Sequence, residues 1–147
     1  MQPRFFEEFT VGEKFTTPAR TVTETDIVNY CCLSGDFNPI HTDDEFAKKT
    51  QFQSRIAPGP LIVAISSGLR GRLGINEGAI LLGIDKLRFS SPVKVGDTIH
   101  VEVTVASKKE TSKAERGILT LNTVVLNQRQ DVISTYETTL MVKRKEP

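Results

Sequence analysis

A chain of 147 residues, 38% hydrophobic and 25% charged, sets the expectation of one domain around one core. A formal net charge of +1 supplies no global field to attract nucleic acid. The longest strongly apolar run, from Leu61 to Ile65, is far too short to span a bilayer, so neither a nucleic-acid nor a membrane partner is expected.

Met1 to Glu8 carries Arg4 but also Glu7 and Glu8, with no apolar stretch of signal-peptide length, and the expected location is cytoplasmic. Residues 11–22, with Gly12 and Pro18, read as an extended lead-in. Thr23-Glu24-Thr25-Asp26 predicts a helix start, because Thr23 can accept from the free amide three residues on and the acids favour the first turn. Ile27, Val28, Tyr30, Cys31 and Leu33 supply its apolar face, and Gly35 is placed to end it. Cys31 and Cys32 are neighbours, poorly placed to bond each other, and no CxxC or Cys/His spacing suggests a metal. They read as buried reduced thiols, which fits a reducing compartment.

The segment Asp36-Phe37-Asn38-Pro39-Ile40-His41 reads as a loop of defined shape, since Pro39 drives Asn38 out of the helical region. A short helix is predicted over 43–50. Ile56-Ala57-Pro58-Gly59-Pro60 then opens a longer helix, with Pro60 in the first turn where its missing N–H is no loss. Residues 61–73 are apolar or small nearly all round, which predicts burial on most sides, with Arg70 and Arg72 marking where the helix emerges.

Strands follow. Residues 79–89 carry Ile80, Leu82 and Ile84 with Leu87 and Phe89 offset, and Pro92 to Asp97 form a turn-like connection. Residues 98–107 alternate, with Ile99, Val101, Val103 and Val105 on one face and His100, Glu102 and Thr104 on the other, which makes His100 a surface residue. Residues 118–127 and 132–143 complete a meander joined at Gln128 to Asp131. One buried helix followed by long antiparallel strands predicts an α+β architecture in which a sheet curls around the helix. Lys108, Lys109, Lys113 and Arg116 read as a solvated hairpin, with contact to a phosphate-bearing substrate handle as the alternative.

The chemistry concentrates at Asp36 and His41. A carboxylate and an imidazole five residues apart, with a proline between them, can face one small volume and hold a water molecule there. One group would take its proton and the other orient it or return a proton, histidine being the natural carrier near neutral pH. Taken by spacing alone, Asp36 could equally cap a turn and His41 pack locally.

Asp36-Phe37-Asn38-Pro39-Ile40-His41 resembles the D-x-N-P-x-H hydratase motif of MaoC-like proteins, the (R)-specific enoyl-CoA hydratases. The resemblance takes in Ser34-Gly35, Ala47, Ile56…Gly59…Leu61, Ser67-Gly68-Leu69 and Phe89…Pro92-Val93…Val95-Gly96-Asp97, and so covers most of the chain. It implies a single hot-dog domain over residues 1–147, with a long central helix wrapped by a curved antiparallel sheet, acting as a homodimer or higher homo-oligomer. It implies that Asp36 and His41 activate water for addition across the C2=C3 bond of a trans-2-enoyl thioester of CoA, giving the (R)-3-hydroxyacyl product with no cofactor.

Attack at C3 puts negative charge on the thioester oxygen, which needs a preorganised donor. The Gly59 N–H matches the family's oxyanion-hole glycine and stands where a helix start favours an anion. Asn38 matches the motif's asparagine and is expected to hold the loop; Ser67 matches a serine that lines the site in some hydratases, or else eases helix packing. Phe37, Phe46, Phe52 and Leu61 are candidates for pocket depth. Many hydratases have His-Gly-Met or His-Gly-Leu where this chain has Pro58-Gly59-Pro60, which bears on substrate identity. An acyl-CoA thioesterase and a non-catalytic acyl-thioester-binding subunit are the alternatives.

Overall fold

The computed structural model describes residues 4–75, 78–112 and 115–145. After a 3-10 turn at Phe6–Glu8, two short strands, β1 (Lys14–Thr16) and β2 (Arg20–Thr21), form the extended lead-in. Helix α1 (Glu24–Ser34) starts as its sequence dictates: Thr23 Oγ1 accepts from the Asp26 N–H at 3.2 Å and the Asp26 carboxylate accepts from the Thr23 N–H at 2.8 Å. It ends at Gly35, whose φ of 75° is a left-handed setting that favours glycine. Two single turns follow, α2 (Pro39–Thr42) and α3 (Asp44–Ala47), and then the long helix α4 (Gly59–Gly71). The region predicted as one loop and one helix is therefore two capped turns: the Asn38 and Asp43 side chains each cap the turn that follows.

Strands β3 (Ile80–Phe89), β4 (Thr98–Glu110), β5 (Arg116–Asn127) and β6 (Val132–Lys143) complete a six-stranded antiparallel sheet. Its order is β1-β4-β5-β6-β3, with β2 also paired to β4. Helix α4 lies against the inner face, its Leu61, Ile62 and Leu69 packing with Ile99, Val101, Val103 and Val105 of β4, Leu119 and Leu121 of β5, and Tyr136 and Leu140 of β6. The α+β expectation and the alternation in β4 both hold.

Several local expectations fail. Arg70 is 2% exposed rather than emerging; it donates to Thr138 Oγ1 at 2.8 Å, and burial lowers its pKa. One turn earlier Tyr136 donates to Ser66 Oγ at 2.7 Å, while Ser66 donates to the Val63 carbonyl. A polar seam therefore runs through the helix–sheet contact. The opposite side of α4, at Ala64 and Gly68, is exposed. On α1 only Ile27 and Cys31 of the apolar set are buried; Leu33 is 86% exposed, and Cys32 is exposed rather than buried. In β3 the register shifts twice, between Leu81 and Gly83 and between Asp85 and Arg88, and the strand keeps no clean buried face. Ile80, Leu81, Leu82, Ile84 and Phe89 all stand exposed along this edge.

Of the basic cluster, Lys108 donates to the Phe9 carbonyl and lies over the Phe6 ring, and Arg116 donates to the Gly78 carbonyl. These two side chains tie the hairpin to the N-terminal segment and to the lead into β3 rather than standing solvated; Lys113 lies outside the described residues.

Candidate active site

The loop leaving α1 is shaped by its own side chains. Ser34 Oγ accepts from the Asp36 N–H at 3.1 Å, and Asp36 Oδ1 accepts from the Asn38 N–H at 3.3 Å. Asn38 has φ −54° and ψ 129°, the extended setting that Pro39 imposes, and its Oδ1 accepts from the Ile40 N–H at 3.3 Å. With one carboxylate oxygen engaged by the loop, Asp36 Oδ2 faces His41 Nε2 at 3.9 Å.

His41 sits on α2 with its side chain 11% exposed, against 43% for Asp36. Its Nδ1 lies 2.7 Å from the Ile56 carbonyl oxygen. A carbonyl can only accept, so Nδ1 carries a proton, and the neutral form of this ring presents its Nε2 lone pair towards Asp36. The Ile56 N–H in turn donates to the Ile40 carbonyl at 3.2 Å, and the Ala57 N–H to the Val93 carbonyl at 2.8 Å. Residues 56–57 therefore bridge the His41 turn and the connection leading to β4. The 3.9 Å gap exceeds a direct hydrogen bond, yet one water at about 2.8 Å from each atom fits it.

His41 also walls a cleft of about 420 Å³ together with Phe52, Gly59, Ile62, Phe89 and Ile133. Asp36 stands beside His41 rather than among these walls. Gly59 is the first residue of α4; among the described residues its N–H meets no acceptor, and Pro60 behind it has none to offer. A free amide at a helix start is a ready donor to a developing oxyanion. The Phe89 ring rests on this glycine: a Cβ there would lie 2.8 Å from Phe89 Cζ.

A smaller pocket of about 90 Å³ lies on another side of His41, between Cys31, Phe37, Thr42 and Arg55. Burial first, and then the Asp36 charge, push the Cys31 thiol up. His41 and Gly59 thus share the cleft, and Asp36 faces His41 from outside its walls. Asn38 supports the loop. Ser67 lies half-buried on α4, 3.4 Å from Arg70 Nη2, and is not among the cleft walls. Of the pocket candidates, Phe52 lines the cleft and Phe37 the smaller pocket, whereas Phe46 and Leu61 line neither. Sequence reasoning missed the Ile56 carbonyl, which as a backbone atom leaves no residue signal. It also missed Phe89 and Ile133 as walls, which the register shifts of β3 and β6 bring in. Among the described residues no cluster of three His, Cys, Asp or Glu could hold a metal, and no helix is long and apolar enough to cross a membrane.

The sequence model of the MaoC like domain matches residues 6–127, and the chain belongs to that family. It is 36% identical over 118 residues to an (R)-specific enoyl-CoA hydratase of Aeromonas caviae, covering 80% of this chain and 84% of that protein. Protein MaoC of Klebsiella aerogenes is 40% identical over 114 residues, but these span 78% of this chain and only 33% of that longer protein. Among solved structures, a monoamine oxidase regulatory protein from Archaeoglobus superposes with a TM-score of 0.90 at 36% identity, covering 99% of this chain and 98% of that one. A Mycobacterium tuberculosis protein with a double hotdog fold gives a TM-score of 0.87 at 16% identity over 99% of this chain and 46% of that one, a likeness of fold alone. The fold is the hot-dog fold, in a family with hydratase relatives.

Proposed function

We propose that the chain is a hydro-lyase of one MaoC-like hot-dog domain, which adds water reversibly across the C2=C3 bond of a trans-2-enoyl-CoA to give the (R)-3-hydroxyacyl-CoA. The observation that carries this reading is the facing pair, Asp36 Oδ2 and His41 Nε2 at 3.9 Å, beside a cleft that also holds the free Gly59 N–H. A water held between the pair loses a proton to His41 Nε2 as its oxygen bonds to C3. Electrons of the C2=C3 bond move towards the thioester oxygen, where the Gly59 N–H stabilises the charge. The proton then passes to C2 as the carbonyl re-forms, and dehydration runs the same steps backwards. Asp36 orients the water and stabilises the imidazolium.

The same reading makes the active form a homodimer in the cytoplasm. The exposed apolar row of β3, on a sheet edge with unpaired backbone groups, supports pairing with a second copy. The two free thiols fit a reducing compartment.

The test follows the conjugated double bond spectroscopically with short trans-2-enoyl-CoA substrates, alongside free-thiol release. Wild type should hydrate, and Asp36→Asn and His41→Ala should each lose about 10²- to 10⁴-fold in kcat. Thiol release without double-bond loss would replace the reading with a thioesterase.

A further inference from the structure

Arg55 belongs to none of the groups that would touch substrate, yet it joins the two arms that carry Asp36 and His41. Its Nη2 donates to Glu24 Oε1 at 2.6 Å and its Nε to Asp44 Oδ1 at 2.7 Å. Glu24 opens α1, the helix whose far end delivers Asp36; Asp44 opens α3, immediately after the turn that carries His41. The next residue, Ile56, supplies the carbonyl that fixes the His41 tautomer. The Arg55 side chain is only 15% exposed and lines the small pocket together with Cys31, Phe37, His41 and Thr42. A planar guanidinium with two fixed donors can set the distance and angle between two carboxylates, which a point-charge ammonium cannot.

We infer that Arg55 is a positioning residue for the proposed hydration, a clamp that holds the α1 and α2–α3 arms together and so sets the Asp36–His41 separation and the seat of the Ile56 carbonyl. The inference rests on the hydratase reading for its kinetic effect but not for its structural one. Displacement of a reacting group by about 1 Å can cost on the order of a hundredfold in rate.

Two readouts test it on the full chain. In kinetics with an enoyl-CoA, Arg55→Met should lower kcat by roughly ten- to a hundredfold while KM changes far less, and Arg55→Lys should recover only part. In the resting protein, imidazole ¹⁵N NMR should show His41 as the Nδ1–H tautomer in wild type and as a tautomer mixture in Arg55→Met. Should Arg55→Met fail to fold, the double variant Glu24→Gln/Asp44→Asn keeps the arginine stem and breaks the clamp, and the same two changes are expected. Folded variants with wild-type kcat and an unchanged His41 spectrum would overturn the clamp. A wild-type chain that hydrates no substrate but shows the NMR change would overturn the hydratase reading and leave the clamp standing.

Discussion

Gly59→Ala isolates what the glycine at the head of α4 is for, because alanine keeps the N–H. The added Cβ would stand 2.8, 3.0 and 3.1 Å from three carbons of the Phe89 ring. Carbon–carbon contact is comfortable at about 3.5–4.0 Å, so the ring must retreat by roughly 0.7–1 Å. Phe89 is 48% exposed at the end of an edge strand and can swing outwards, which puts the overpacking cost near 1 kcal/mol, the low end of the usual range. Alanine returns up to about 0.5–1 kcal/mol of backbone entropy relative to glycine, so the net change in stability should be near zero. Activity should not be spared, since the displaced ring forms a wall of the cleft beside the thioester site. A shift of that size is expected to lower kcat/KM by up to about a hundredfold. The assay is a double-mutant cycle of Gly59→Ala and Phe89→Ala, with urea unfolding and enoyl-CoA hydration measured on all four proteins. In the Phe89→Ala background, Gly59→Ala should cost little in rate. An equal loss in both backgrounds would refute ring displacement and show that the glycine is needed for the approach of substrate itself.

The inner face of the sheet offers one substitution with two opposite signs. Thr138→Val removes an acceptor from buried Arg70 and should destabilise by about 1–3 kcal/mol, whereas the buried Thr123 hydroxyl has no hydrogen-bond partner among the described residues and Thr123→Val should be neutral or stabilising by up to about 1 kcal/mol; denaturant midpoints decide both. Glu7 is held at about 2, below its ordinary 4.5, by the Lys145 backbone N–H and then by Arg144. A depressed carboxylate contributes stability above pH 4.5 that is lost as pH falls towards about 2, so Glu7→Gln should be less stable than wild type at neutral pH, with the gap closing over that acid window in thermal melts. Maleimide should label exposed Cys32 in the native protein and reach Cys31 only on unfolding, as mass spectrometry of timed samples would show; equal labelling rates would contradict the burial of Cys31.

What sequence reasoning could see was what neighbours along the chain decide. Thr23 with Asp26, Gly35, the Asn38–Pro39 pair and the alternation from Ile99 to Val105 all act within a few residues, and each took the expected form. The reach of Asp36 towards His41 is of the same kind. Arg70 is different: a cation near a helix end reads as surface, and its burial depends on Thr138, 68 residues away. The exposed faces of α1 and β3 were likewise out of reach, because apolar periodicity signals that a face wants cover without saying whether the same chain provides it. Arg55 leaves no signal along the chain, because the two carboxylates that hold it, Glu24 and Asp44, come from different helices.

The seam between α4 and β6 acts as a ruler. Aliphatic contacts alone resist sliding weakly, since a helix slipped by one turn of about 5.4 Å still meets methyl groups. Hydrogen bonds are directional, and the two from Tyr136 to Ser66 and from Arg70 to Thr138 would both break in such a slip. The helix is therefore pinned lengthwise at two marks. Gly59 lies seven residues ahead of Ser66, about 10 Å along the axis at the standard rise. Phe89 is set by its own pairing with Ser134 on the same strand β6 that carries both pins. The glycine amide and the ring beside it are thus measured off one strand, and a hydroxyl and a guanidinium deep in the core fix the address of a single N–H at the mouth of the cleft.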